Sequence, residues 1–291
     1  MELINFSNSI IQPVESSIFE KKGVQVDIKR DDLLHPIISG NKWRKLQYLI
    51  KDAIDRKSSR IISMGGNWSN HLHALAFAAK EFNIKASAFV RSHPEQPLTA
   101  TLKDCQSWGM TLTFTNRKDY AELRKLVDWQ SMQKNDKGSY WISEGGFSSL
   151  AIQGVADISQ EVSKHYDYIF VACGSGSTLL GLSHGFPKSH IVGIASFSGA
   201  EYLKDVLSQK ATGNNWSLDT NYHCGGFAKT NTQLNQVITE LERVNDFKLD
   251  KLYNGKVFLA LNSYIELGKI ESGCRVLVLH TGGLQGLRSE N

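Results

Sequence analysis

The stretch Ser39-Gly40-Asn41-Lys42-Trp43-Arg44-Lys45 sets a lysine where an amine can be readied for attack on a carbonyl. Pro36 ends any regular element before it, and Gly40 permits a tight turn. From Trp43 onward Leu46, Leu49, Ile50 and Ala53 recur at steps of three and four, which predicts a helix over about 43–56. Lys42 then sits at the mouth of that helix, beside the cations Arg44 and Lys45. A helix N-terminus and cationic neighbours both disfavour the protonated amine, as imine chemistry requires. On this stretch alone a solvated basic face is the competing reading.

A second stretch, Gly174-Ser175-Gly176-Ser177-Thr178, follows an apolar strand and opens a helix. Its glycines let backbone N–H groups approach an anion and its hydroxyls add donors, so phosphate is the natural guest. Gly176 is expected where a side chain would crowd that anion. No G-K-[ST] follows and G-x-G-x-x-G is not met, so it is neither a Walker loop nor a dinucleotide fingerprint. A tight strand-to-helix turn without a ligand is the alternative. The third stretch, Gly65-Gly66-Asn67-Trp68-Ser69-Asn70-His71, offers amide and hydroxyl side chains beside two glycines. Ser69 or Asn70 is expected to cap the following helix, but a cap uses only one of them. His71 is a candidate acid or base, with plain hydrogen bonding as the bland alternative. A readied lysine, a phosphate cradle and uncharged donors fit pyridoxal 5′-phosphate better than a nucleotide. Lys42 would close the imine, the cradle would hold the phosphate, and an amide would bond the ring hydroxyl.

These residues must be held by the elements around them. Strands are predicted at 24–29, 60–64, 85–90, 111–115, 140–143, 168–172, 190–196 and 275–280. Helices are predicted from 71 through Ala79, over 98–108, 120–133 and 154–165, after 178, and over 234–244 and 253–264, with 209–231 as an irregular loop. Strand and helix alternate, so the fold class is α/β with parallel sheets covered on both faces. Two Rossmann-like open sheets of four to six strands fit the count better than one wide sheet. The expected division is 1–45 with 160–291 as the larger, cofactor-binding domain and 46–159 as the smaller. Four glycine-rich turns (65–71, 144–149, 174–178 and 281–283) fall at carboxyl ends of strands, where open α/β sheets bind ligands. The cofactor is therefore expected in the cleft between the two domains.

Composition narrows the classes. The 291 residues are 41% apolar, and a net charge of +4 is interspersed with acids. No basic run points to nucleic acid or an anionic membrane. Residues 1–20 lack the pattern of an export signal, and no apolar run nears the roughly 20 residues of a membrane span. Cys105, Cys173, Cys224 and Cys274 form no C-x-x-C pair, which suggests reduced thiols in a cytoplasmic protein and no structural metal site.

Six short motifs occur in order: G-N-K-W-R-K at 40–45, G-G-N-W-S-N-H at 65–71, S-E-G-G at 143–146, C-G-S-G-S-T at 173–178, L-Y-N-G-K at 252–256 and H-T-G-G at 280–283. Together they resemble the family of 1-aminocyclopropane-1-carboxylate deaminase and D-cysteine desulfhydrase, a branch of the tryptophan-synthase-β-like pyridoxal phosphate enzymes. Each motif is weak alone; six in order, from about residue 20 to 286, are specific. The resemblance implies that Lys42 is the Schiff-base lysine and moves the substrate α-proton. It places Lys45 near the phosphate, makes Gly174, Ser175, Gly176, Ser177 and Thr178 the phosphate loop, and sets Asn70 on the ring hydroxyl. Ser69, Asn70 and His71 would receive the substrate carboxylate, with Ser69 also a proton carrier, and Tyr253 would face the substrate. A homodimer is implied too.

Three positions separate members of the resembled family. Its deaminases carry an acidic residue after the tyrosine, placed to charge the pyridine nitrogen, and Asn254 cannot do this. They tend to have leucine where this chain has Thr281, whereas the desulfhydrases set a threonine hydroxyl at the ring nitrogen. Both enzymes have tyrosine where Phe227 stands, and the region 205–231 looks shortened, so the substrate pocket around Phe227 is altered. The leading expectation is a lyase that converts a small amino acid to a 2-oxo acid and ammonia by α,β-elimination, as D-cysteine desulfhydrase does. Competing expectations are the ring-opening deaminase, a racemase or dehydratase with the same cofactor, and a non-catalytic protein that binds a phosphate ligand.

Overall fold

The computed structural model describes residues 3–93, 95–125, 136 and 138–284. Its strands in chain order are β1 (Ile11–Pro13), β2 (Gln25–Lys29), β3 (Arg60–Gly66), β4 (Lys85–Arg91), β5 (Thr111–Thr115), β6 (Ser139–Trp141), β7 (Tyr168–Cys173), β8 (His190–Ala195), β9 (Trp216–Asp219) and β10 (Arg275–Leu279). The α-helices are α1 (Ser17–Lys22), α2 (Lys42–Asp55), α3 (Asn70–Glu81), α4 (Ala100–Ser107), α5 (Arg117–Lys125), α6 (Ser149–Ala156), α7 (Ser177–Gly185), α8 (Tyr202–Ser208), α9 (Thr232–Val244) and α10 (Asn254–Glu266).

Two compact units form, one on Lys42–Gly154 and one on Asn5–Asn41 with Val155–Leu284. The divisions fall after 41 and 154, where the sequence placed them after 45 and 159, so Lys42 and Lys45 belong to the first unit. That unit carries a parallel four-stranded sheet in the order β5-β4-β3-β6. The second carries six strands in the order β1-β2-β10-β7-β8-β9, parallel except for the antiparallel edge strand β1. The α/β class and the two parallel sheets are as the alternation predicted.

The central strands are apolar runs buried on both faces, as parallel sheets demand. In the second unit Phe170, Ile194, Val276 and Val278 pack with Val257, Phe258 and Leu261 of α10 and Leu234, Ile238 and Leu241 of α9. Helix α10 is buried along nearly its whole length, from Asn254 to Asn262, so the residues at its start stand on a rigid element. Among the described residues no helix is long and apolar enough to cross a membrane.

Three expectations need correction. The stretch 209–231 is not wholly irregular, because Trp216–Asp219 adds an edge strand beside β8. An edge strand of four residues needs little apolar patterning, and only Leu218 of it is buried. The helix expected over 154–165 is instead α6 over Ser149–Ala156, followed by a 3-10 turn at Asp157–Glu161. Gly154 read as a helix start, yet it lies inside the helix because the Arg44 carbonyl occupies the place a Cβ would take. The helix expected over 120–133 begins earlier, at Arg117, and is described to Lys125; 126–133 lie outside the described residues.

Candidate functional site

In the second unit, the turn that delivers Lys42 is fixed backbone to backbone. Gly40 (φ +74°) and Gly282 (φ +76°) both take left-handed conformations. A Cβ on Gly40 would run into the Thr281 carbonyl, and one on Gly282 would lie 2.8 Å from the Gly40 Cα. Asn41 extends this contact: its N–H donates to the Thr281 carbonyl at 3.4 Å, and its Nδ2 to Thr178 Oγ1 at 2.9 Å. The residue before Lys42 is thus tied both to the phosphate-type loop and to the turn after β10. The sequence reading gave Asn41 no role, and its place between Gly40 and Lys42 was the available signal. Replacing Gly282 with alanine is expected to lower the melting temperature by several degrees. Left-handed backbone with a Cβ costs roughly 1–2 kcal/mol, and the overlap with Gly40 adds to it. An unchanged melting curve would remove this glycine pair from the support of the site.

The loop 174–178 joins β7 to α7 through Gly176 at φ +89°. No side chain caps α7, so the N–H groups of its first turn are left for another acceptor. Ser177 and Thr178 are buried (0% and 3% exposed), and Ser175 Oγ lies 3.2 Å from Ser177 Oγ. A Cβ on Gly174 would meet nothing within 4 Å, which leaves open space on that side of the loop. The expectation for Gly176 changes in its reason. A Cβ there meets the Leu207 side chain of α8, so what forbids a side chain is this contact and the positive φ.

Asn254 is completely buried and its amide is fully used. Nδ2 donates to Asp250 Oδ2 and, at 2.7 Å, to the Gly282 carbonyl. Oδ1 accepts from Thr281 N–H at 3.0 Å and from Thr281 Oγ1 at 3.3 Å. The orientation follows from the partners, because two acceptors face one end of the amide and a backbone donor faces the other. Asp250, itself 1% exposed, also takes the N–H groups of Leu252, Tyr253 and Asn254 and so organises the start of α10. Asn254 is therefore a neutral clamp on the Thr281-Gly282 turn. Asp250 was missed in the sequence, although an aspartate opening the turn before a helix is a residue type that takes nearby backbone N–H groups.

Tyr253 and Phe227 stand together, with ring centroids 5.9 Å apart in an edge-to-face arrangement, and Phe227 is half exposed. The loop carrying Phe227 is strained, with Cys224 at φ +57° and Ala228 at φ +59°. It is held from beneath by Lys256, fully buried on α10, whose Nζ donates to the carbonyls of Ser196 and Gly226 at 3.0 Å each. Burial lowers the pKa of this lysine. One residue of the L-Y-N-G-K motif thus shapes the loop that another residue of it touches.

In the first unit, α2 begins at Lys42 itself, which is partly buried, whereas Arg44 and Lys45 are 0% and 7% exposed. A solvated basic face is excluded by those numbers. Ser69 caps α3, accepting from Leu72 N–H at 3.2 Å, and approaches Gly65 so closely that a Cβ there would overlap it. The partly buried Asn70 amide has no hydrogen-bond partner among the described residues. His71 is 4% exposed, with Nε2 at 2.9 Å from Ser63 Oγ and Nδ1 without a hydrogen-bond partner among the described residues. Its pKa falls to about 3, first through burial and then through the positive charges of Lys45 and Lys42. Lys42, Lys45, Ser69, Asn70 and His71 thus belong to one unit, and the loop 174–178, Phe227, Tyr253 and Thr281 to the other.

The donor set fits a phosphorylated pyridine aldehyde. An uncapped helix start with buried hydroxyls suits the phosphate, a lysine among cations suits the aldehyde, and the Asn70 amide, unpartnered among the described residues, suits a polar ring atom. Residues 12–282 match the family described as "Pyridoxal-phosphate dependent enzyme". A protein of Pyrococcus furiosus provisionally named a 1-aminocyclopropane-1-carboxylate deaminase is 31% identical, over 91% of this chain and 86% of its own length. The Arabidopsis thaliana mitochondrial "Bifunctional D-cysteine desulfhydrase/1-aminocyclopropane-1-carboxylate deaminase" is 28% identical, over 91% of this chain and 74% of its own. Among solved structures, an "ACC deaminase homologue" superposes with a TM-score of 0.81 at 29% identity, covering 96% of this chain and 90% of the other. A threonine deaminase from Solanum lycopersicum, 17% identical with a TM-score of 0.70 over 96% of this chain and 80% of its own, shares the fold.

Proposed function

The chain belongs to the pyridoxal-phosphate dependent enzymes, in the family of 1-aminocyclopropane-1-carboxylate deaminase and D-cysteine desulfhydrase, and on that premise we propose that it is a lyase of small amino acids. The proposed reaction is α,β-elimination, of the D-cysteine desulfhydrase kind, to a 2-oxo acid and ammonia. The observation that supports it is the commitment of Asn254. Where a ring-opening deaminase is expected to present an acid, this chain has an amide whose hydrogens and oxygen are spent on Asp250, Gly282 and Thr281. The partner left for the pyridine nitrogen is the neutral hydroxyl of Thr281, once its one hydrogen turns from Asn254 Oδ1, which still accepts from the Thr281 N–H.

When bound, pyridoxal phosphate supplies an electron sink for the charge left at the substrate α-carbon. The protein's part is positioning and proton handling. The first-turn N–H groups of α7 and the hydroxyls of Ser175, Ser177 and Thr178 would take the phosphate, with Lys45 adding charge. Asn70 would donate to the ring hydroxyl, and Thr281, with its hydrogen turned from Asn254 Oδ1, would meet the ring nitrogen. Lys42 would hold the group covalently, and its amine would move the α-proton. The backbone N–H groups of Asn70 and His71, unused at the start of α3, receive the substrate carboxylate. Ser69 accepts from Leu72, so its own hydroxyl proton remains free to reach the departing β-substituent. Tyr253 and Phe227 shape the substrate side, and Phe227 brings no hydroxyl to it.

The relatives' names favour ring opening as a second reading. The deciding measurement is 2-oxo acid formation from a panel of D- and L-amino acids together with 1-aminocyclopropane-1-carboxylate. Elimination from a β-substituted amino acid supports the proposal, and turnover of the cyclopropane acid alone would overturn it.

A further inference from the structure

His280 is completely buried, and each of its ring nitrogens faces a backbone group. Nε2 lies 2.7 Å from the Lys248 carbonyl, which can only accept, so Nε2 carries the ring proton. Nδ1 accepts from the Gly282 N–H at 3.2 Å, so Nδ1 keeps its lone pair. The two partners thus select the neutral tautomer protonated at Nε2. Asp32 Oδ1 stands 3.7 Å from Nδ1, beyond hydrogen-bond length, and Arg30 meets that carboxylate at 2.7 Å. The direction of the Thr281 side chain is set by the two peptide planes that flank its Cα. Asn254 holds the first plane through the Thr281 N–H, and His280 holds the second through the Gly282 N–H. Asn41 reaches the carbonyl of that second plane at 3.4 Å, a weaker hold.

We propose that His280 is a positioning residue which, as the imidazole protonated at Nε2, aims the Thr281 hydroxyl for the pyridine nitrogen of the cofactor. This rests on the reading of Thr281 as the ring-nitrogen partner and names what holds it there. Without an acceptor at Nδ1 the Gly282 N–H is buried and unmatched, and the second plane turns to find a partner. A doubly protonated ring fails in the same way, because both of its nitrogens then donate. At its other end the ring bonds Lys248, two residues before the Asp250 that organises the start of α10. His280 and Asn254 therefore tie the same two segments, 248–250 and 281–282, and the turn is fixed to a rigid helix start from two sides.

Two amides separate the two bonds of the ring. His280→Asn keeps an acceptor for the N–H two residues on and loses the bond to Lys248. His280→Gln reaches Lys248 and loses the bond to Gly282. Binding of pyridoxal phosphate, followed by titration and by the absorbance of the bound cofactor, should weaken about three- to tenfold in His280→Gln, the range of one neutral hydrogen bond. His280→Asn should restore most of that loss, even though both variants melt lower than wild type. In a Thr281→Val background His280→Gln should weaken binding by less than about twofold, because the hydroxyl it aims is gone. Wild-type chain without cofactor, labelled with nitrogen-15 at histidine, should show the ring whose signals vanish in His280→Asn protonated at Nε2 and bare at Nδ1. A ring protonated at Nδ1, or an equal loss of binding in both backgrounds, would overturn the inference and leave the reading of Thr281 intact. If Thr281→Val alone changes neither binding nor absorbance, that reading falls and takes the inference with it.

Discussion

Lys42→Ala should yield a folded protein that no longer forms a borohydride-reducible link to pyridoxal phosphate, with turnover reduced by at least about a thousandfold. The size follows from two losses at one atom. The covalent anchor goes, and so does a positioned proton carrier, which alone contributes typically 10²–10⁴ in rate. The fold should survive, because the residues that deliver Lys42 are anchored without it. Asn41 keeps its bonds to Thr178 and Thr281, the glycine pair keeps its backbone contact, and the buried face of α2 is carried by Trp43, Leu46, Leu49 and Ile50. Removing an amine from a neighbourhood that also holds Lys45 relieves like-charge repulsion, so a small gain in thermal stability without cofactor is expected. The checks are the visible absorbance of the loaded protein, peptide mapping after reduction, and a melting curve. A reducible link formed at another lysine in the variant would show that the anchor had been misassigned.

The chemistry of this chain was more legible than its scaffolding. Glycine-rich turns and a lysine at a helix mouth are local signals, since close backbone approach and positive φ leave few residue choices. Edge elements are harder to read. Strand β1 is three residues ending in Pro13, and β9 has one buried side chain, so neither repeats an apolar pattern long enough to register. Helices α1 and α8, of six and seven residues, were missed for the same reason. The burial of Arg44, Lys45 and Lys256 was illegible because charge is read as exposure. Only tertiary contacts, such as the carbonyls of Ser196 and Gly226 around Lys256, give such groups a place. Gly154 misled because a glycine that admits the Arg44 carbonyl is indistinguishable, in one sequence, from a glycine at the start of a helix.

Given β-chloroalanine and 1-aminocyclopropane-1-carboxylate at equal concentration, the enzyme should eliminate from the better hand of the first at least about a hundredfold faster than it opens the second. Ring opening must break a carbon–carbon bond and places the full demand on the pyridine ring, which is a strong sink only when its nitrogen is charged. On the proposed reading the ring nitrogen meets no acid: Asn254 is neutral and spent, and Thr281 would offer only a hydroxyl. Each 1.4 kcal/mol of stabilisation missing from the transition state costs about tenfold, so two lost steps of that size already give the stated margin. Chloride, by contrast, departs with its own electron pair and asks less of the ring. Thr281→Val removes the hydroxyl together with its 3.3 Å bond to Asn254 Oδ1, while the turn stays held by the Thr281 N–H on Asn254 and by Asn254 on Gly282. It should alter the absorbance or fluorescence of the bound cofactor and lower elimination by about tenfold, roughly the worth of one hydrogen bond. Asn254→Glu will not convert the enzyme into a ring opener. The new carboxylate would lose both donated bonds and face buried Asp250, so one of the two acids must take up a proton and the turn must loosen. That variant should melt lower and bind cofactor less tightly without gaining cyclopropane turnover. Faster opening of the cyclopropane than elimination from either hand of β-chloroalanine, in the wild-type protein, would reverse the assignment and make the ring-opening deaminase the function of this chain.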